Sequence, residues 1–113
     1  MELELFKEKL KSKPESIAFS DTMQVIEDHF EFTPTAFTNG AIHNESGQNS
    51  GSCKVFAFAQ MEDLSKESAL ACFGQYYTDV KNTPDAADHQ NIRNFINTGF
   101  AALSFDGIAL QKK

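Results

Sequence analysis

The chain has 113 residues, 41% of them hydrophobic, and a formal charge of −6 from 16 acidic and 10 basic side chains. A chain of that length encloses one core without metal or disulfide staples, so a single domain over residues 1–113 is expected. The acidic balance argues against a nucleic-acid or anionic-membrane surface, and no apolar run approaches the ~20 residues of a membrane span.

Leu3, Phe6 and Leu10 recur on one helical face, predicting a first helix over residues 3–11 that Pro14 stops. Its outer face interleaves Lys7, Lys9, Lys11 and Lys13 with glutamates, a solvated mixed surface, and the apolar core and cleavage site of a signal peptide are missing. A second helix is expected from Ser20 or Asp21, where Asp21 and Gln24 have capping-box spacing and Met23, Ile26 and Phe30 share a face. The period then shortens. Asn39-Gly40 between two extended segments predicts a type I′ hairpin, and Pro34, which cannot donate to a ladder, puts its strand at a sheet edge. Residues 46–52 read as loop by composition.

Residues 54–61 form an apolar run too short for periodicity to separate helix from strand, but the serines and glycines before it and Ala57 and Ala59 within it favour helix. Ser65 is the expected N-cap of a helix whose inner stripe is Ala69, Leu70, Phe73, Tyr77 and Val80, ending before Pro84. Asp88 is the expected cap of a last helix with Ile92, Phe95, Ile96, Gly99, Phe100 and Leu103 along one face. Asp106-Gly107, between LSF and IAL, predicts a second short hairpin. The sum is an α+β fold of four or five helices and a small antiparallel sheet built from two hairpins, turning at Asn39-Gly40 and Asp106-Gly107.

Candidate chemistry gathers in residues 38–60. Between Phe32 and Met61 only Glu45 and Lys54 carry full charge, so the loop is expected to satisfy its backbone with its own amides, Asn39, Asn44, Gln48 and Asn49 among them. Against that structural reading stand three sites. Cys53, at the start of an expected helix beside Lys54, is a candidate nucleophile with His43 or His89 as its base. His43, Glu45 and His89 are a candidate metal or acid–base set, although His43-Asn44-Glu45 lacks the Pro-Cys-x-x-Cys that completes a zinc deaminase motif. The Gly47–Lys54 stretch lacks P-loop spacing but offers helix-start amides to an anion; Asn44, Glu45, Gln48 and Asn49 are the expected ligand-contacting side chains. Cys53 and Cys72, 19 residues apart and in apolar surroundings, read as free buried thiols of a reducing cytoplasm. No metal or other cofactor is expected, and no enzyme motif is complete.

The segments FTPTAFTNG, HNESGQNSGSCKVFAFAQ, LACFGQYYTDV and DHQNIRNF, followed by the FDG tail, together resemble the HopJ type III effector family of bacteria. The resemblance runs from Phe19 to Leu110. It implies a bacterial protein of the type III effector class, and the expected action is a protein or small-ligand interaction, with a host protein as the partner where secretion occurs. It carries no catalytic residue onto these positions. MELELFKEKL departs from the flexible, Ser-rich start that such export implies, so a housekeeping role in the bacterial cytoplasm stands as the alternative, beside a small enzyme using the polar loop.

Overall fold

In the computed structural model, which describes residues 1–113, the first apolar stripe forms α1 (Leu3–Ser12), burying Phe6 and Leu10. A single 3-10 turn at Pro14–Ser16 leads into α2 (Phe19–His29). The chain continues through β1 (Phe30–Phe32), β2 (Phe37–Asn39), β3 (Ile42–Asn44), α3 (Ser50–Met61), α4 (Lys66–Ala71), α5 (Gln75–Asn82) and α6 (Gln90–Thr98). A 3-10 turn at Gly99–Ala102 then precedes β4 (Leu103–Phe105) and β5 (Leu110–Lys112). The architecture is α+β, and no helix is long and apolar enough to cross a membrane.

The core is organised around α3. Val55, Phe56, Ala57, Phe58 and Ala59 are all buried, which is why this run shows no single-faced period: the helix is covered all round. Phe58 receives the rings of Phe6 and Phe30 edge-on at 5.9 and 5.7 Å. Phe56 meets Phe37, Phe73 and Phe95 at 6.1, 5.4 and 4.8 Å. At the far end of α3, Glu62 is the hub of an ion cluster, its side chain only 5% exposed, with Lys7 of α1 at 3.2 Å and Lys112 of β5 at 3.4 Å.

The strands depart from the expected pair of hairpins. Residues 103–112 do not fold back on themselves; β4 pairs with β2 and β5 with β1, while β3 adds to the other side of β2. The register is the same in both sheets: Phe30 faces Lys112 and Phe32 faces Leu110 in one, Phe37 faces Phe105 and Asn39 faces Leu103 in the other. Residues 30–39 and 103–112 therefore make one antiparallel ribbon, open in the middle, where the Thr33 N–H still reaches the Ala109 carbonyl and the Asp106 N–H the Ala36 carbonyl. Pro34 lies in that opening. Its missing N–H breaks the ladder without placing β2 at an edge, since β2 is the central strand. Asp106-Gly107 sits opposite in the same opening and closes no hairpin.

The first hairpin forms one residue later than Asn39-Gly40. Asn39 stays in β2 opposite Ile42, leaving Gly40 and Ala41 as the two-residue loop, with Gly40 at φ +62°. Asn39 cannot turn because its side chain is committed inward.

Other boundaries shift for local reasons. In α2 the helix starts at Phe19, so Asp21 sits inside the first turn and accepts the Ala18 N–H at 3.0 Å. The helix of α3 takes in Ser50, Gly51 and Ser52 from the expected loop, with Asn49 at its N-cap. Ser65 caps α4 as expected, its hydroxyl accepting the Ser68 N–H. The single helix expected from residue 65 to 80 breaks at Gly74, raising the helix count to six. Gly74 has φ +58°, and a Cβ there would stand 2.4 Å from the Phe19 nitrogen. Finally, α6 begins at Gln90 with His89, not Asp88, at the cap, and Gly99 at φ +61° ends it before the apolar stripe runs out.

Candidate functional site

Strand alternation puts Phe37 and Asn39 on the same buried face of β2, and a buried amide needs partners. Asn39 is 0% exposed, and its Nδ2 donates to the Asn91 carbonyl at 2.9 Å and to Asn91 Oδ1 at 3.1 Å. Asn44, from β3, donates to the same Oδ1 at 3.3 Å, and its own Oδ1 accepts from Asn91 at 3.0 Å and from Asn49 at 2.7 Å. Asn94 Nδ2 reaches the Asn39 carbonyl and Oδ1. Five asparagines from β2, β3, the α3 cap and α6 thus form one amide network, three of them buried.

Two members of the network, Asn49 and Asn91, line a cleft of about 390 Å³ together with Phe19, Ile42, Ser52, Tyr76 and His89, and the other three back them from within. Both α3 and α6 begin at it. Their N-caps, Asn49 and His89, are left-handed at φ 52° and 50°, and neither helix has a side-chain cap. The backbone N–H groups of Ser50–Ser52 and Gln90–Ile92 accordingly find no acceptor within the protein. The cleft lining contains no Asp, Glu, Lys or Arg in a chain otherwise rich in charge.

Its rim is held from behind. Arg93 donates to Asp88 at 2.7 Å and to both the carbonyl and the hydroxyl of Thr83, pinning residues 83–88. The Arg93 guanidinium beside Asp88 keeps that carboxyl below the ordinary carboxylate range. His89 Nε2 lies 3.8 Å from the same carboxylate, and its ring lies 5.4 Å from Tyr76. Phe19 meets Tyr76 edge-on at 5.1 Å and lies across the start of α3, where a Cβ on Gly51 would stand 2.9 Å from its ring.

The residues singled out from sequence divide. Asn44 and Asn49 join the network, and His89 lines the cleft. Gln48 is exposed and accepts the Glu45 N–H through its side chain at 3.0 Å. His43 and Glu45 meet each other at 3.2 Å in the open, with the other His43 ring nitrogen 3.2 Å from the Thr38 hydroxyl, and neither lines the cleft. Cys53 is 1% exposed; its thiol donates to the Thr35 carbonyl at 3.5 Å. Burial pushes its pKa up against the smaller opposing effects of that bond and of Lys54, whose ammonium lies 4.9 Å from the Phe32 ring centre. Cys72 is pushed up to about 12, again by burial. No three His, Cys, Asp or Glu side chains converge.

Sequence reasoning missed Asn91 and Asn94. Their signal was a polar row, Asn91, Asn94 and Thr98 at i, i+3 and i+7, beside the apolar stripe of the same helix. A larger groove of about 750 Å³ runs between the Pro14 turn and α4–α5. Its walls mix Lys11 and Lys81 with Glu15, Glu67 and Asp79, and none of the buried polar residues lines it, so the smaller cleft is the better-built site.

A family model described as HopJ type III effector protein matches residues 3–110. The chain is also similar to a solved crystal structure of an unknown function protein, VPA0580. The two share 52% sequence identity, the match covers 100% of this chain and 95% of that one, and the TM-score is 0.98. No curated protein matches.

Proposed function

This chain belongs to the HopJ type III effector protein family, and from that premise we propose that it works by recognition rather than by catalysis. Residues 1–113 act as one HopJ-like unit whose cleft takes a hydrogen-bond-accepting group of a small ligand or of a protein partner. The observation that carries the reading is the meeting of two uncapped helix starts above a buried amide floor in one cleft free of acidic side chains. Backbone donors, the Ser52 hydroxyl and the faces of Phe19 and Tyr76 suit a group that accepts hydrogen bonds and offers a flat or apolar body. The nucleophile reading fares less well, because Cys53 is an enclosed neutral thiol bonded to the Thr35 carbonyl and does not line the cleft that holds His89. Membership of an effector family fits a secretion-related role, with a host protein as the partner where the chain is exported.

The test is a titration of ¹⁵N-labelled protein with acetate, benzoate, acetamide and phosphate, followed by amide chemical shifts. Saturable shifts confined to Ser50–Ser52 and Gln90–Ile92 are expected, with benzoate binding more tightly than acetate. A set of probes that leaves those amides unmoved, or that shifts His43 and Glu45 instead, overturns the reading.

A further inference from the structure

Asn39-Gly40 is the chain's only Asn-Gly step, and the fold treats it unusually. In a flexible chain the amide following asparagine attacks the side chain readily when the next residue is glycine, because no Cβ hinders the approach. Here each atom that must move is tied down. The Gly40 N–H donates to the Ala102 carbonyl at 2.9 Å. Asn39 is flanked on both sides in the sheet, by Ile42 and by Leu103. Its Nδ2 is held by Asn91 and its two oxygens by Asn94, at 0% exposure.

We infer that Asn39 is a latent modification site, closed by the fold and opened by unfolding, that irreversibly marks a chain which has lost its structure. Once residues 39–40 are released, the Gly40 nitrogen gives up its proton and attacks Asn39 Cγ. The new N–Cγ bond forms as the Cγ–Nδ2 bond breaks, ammonia leaves and a five-membered succinimide remains. Water then opens either carbonyl of that ring, leaving aspartate or isoaspartate at position 39. One water enters, one ammonia leaves and nothing is oxidised or reduced.

The mark works against refolding. The Asn91 carbonyl and Oδ1, which accepted from Asn39 Nδ2, would face a carboxylate oxygen, placing a charge among acceptors at a position without solvent. Isoaspartate adds a methylene to the backbone of the central strand, displacing the register that puts Phe37 and Asn39 inside. This device concerns the integrity of the site's floor and does not depend on what the cleft binds.

The experiment holds the wild-type chain at mildly alkaline pH with and without denaturing urea, then digests it and quantifies residue 39 by mass. Isoaspartate at the exposed Asp106-Gly107 step serves as an internal clock. Modification at Asn39 is expected to be slower in the native chain by about tenfold or more relative to that clock, since it must wait for a local opening. The fraction that refolds after dilution is expected to fall as the mark accumulates. N39D supplies the second measurement: it is expected either to fail to fold or to unfold at clearly lower urea. Equal rates at Asn39 in the two conditions, a marked fraction that refolds like the unmarked one, or N39D with the wild-type midpoint would overturn the inference.

Discussion

Asn91→Ala tests whether the amide network stabilises the fold or merely lies within it. The side chain makes three hydrogen bonds, accepting from Asn39 at 3.1 Å and Asn44 at 3.3 Å and donating to Asn44 at 3.0 Å. Its removal does not strand its partners completely. Asn39 Nδ2 keeps the Asn91 carbonyl, Asn44 Oδ1 keeps Asn49, and Asn44 Nδ2 keeps only a long bond to the Phe37 carbonyl at 3.4 Å. At about 1 kcal/mol net per bond, and with water able to enter from the cleft, the loss comes to about 2–3 kcal/mol. With an m-value of about 1–3 kcal/mol per molar urea, the unfolding midpoint should fall by about 1–3 M. Asn91→Asp keeps the shape and the acceptors but turns the donor to Asn44 Oδ1 into a second acceptor, so it should cost at least as much as alanine. Asn97→Ala is the control: it is exposed, its side chain reaches only the Arg93 carbonyl at 3.4 Å, and its effect should stay within about 0.5 kcal/mol. Urea unfolding followed by far-UV circular dichroism reads all three. Should Asn91→Ala shift the midpoint no more than Asn97→Ala, the network contributes no stability and the account of the floor is wrong.

Gly74→Ala and Gly47→Ala both place a side chain at positive φ, but a Cβ at 74 meets the backbone of Ala18 and Phe19 whereas nothing lies within 4 Å at 47. The first should cost more than about 3 kcal/mol by thermal denaturation and the second about 1–2; equal shifts would show that the close approach at Gly74 is not rigid. Glu62→Ala leaves Lys7 and Lys112 without their shared partner and should lower stability by about 1–3 kcal/mol, discounted because Lys112 is 60% exposed, with little change for Lys112→Ala. The cysteines set an alkaline limit. Their pKa values are raised in the folded chain, Cys72 to about 12 from 9.0, so the unfolded state loses its thiol protons first. Stability is complete below pH 9 and should fall by up to about 1.4 kcal/mol per pH unit per cysteine above it. A Cys72→Ala variant whose alkaline unfolding profile matched wild type would contradict this.

Much of the helical layer was legible because amphipathic spacing is a local property: α1, α4 and the stripe of α6 follow directly from where Phe6, Leu70 and Phe95 recur. Even α3 was readable as helix, from its alanines, despite having no polar side to give a period. The failures are long-range. Nothing local to Leu103–Lys112 says that it pairs with residues some seventy positions earlier rather than with itself, and the turn-forming Asp106-Gly107 points the other way. Gly74 breaks a helix because α2 passes against it, and Asn39 leaves its turn because α6 offers amides to it. The site followed the same rule. The loop half of the network, Asn39, Asn44 and Asn49, was visible as polar residues with too little charge around them, whereas Asn91 and Asn94 were hidden inside a helix whose apolar stripe explained it well enough.

The ribbon between residues 30–39 and 103–112 also bears on the order of folding. It is the contact of greatest sequence span in the central strand, and closing so long a loop comes before any reward from pairing. The helices between them can gather locally, but Asn39 gains its second flank only when Leu103 arrives. Assembly of the cleft floor is thereby tied to the last strands of the chain, so a partly folded molecule presents helices without a recognition surface. Binding competence should rise in a single late step.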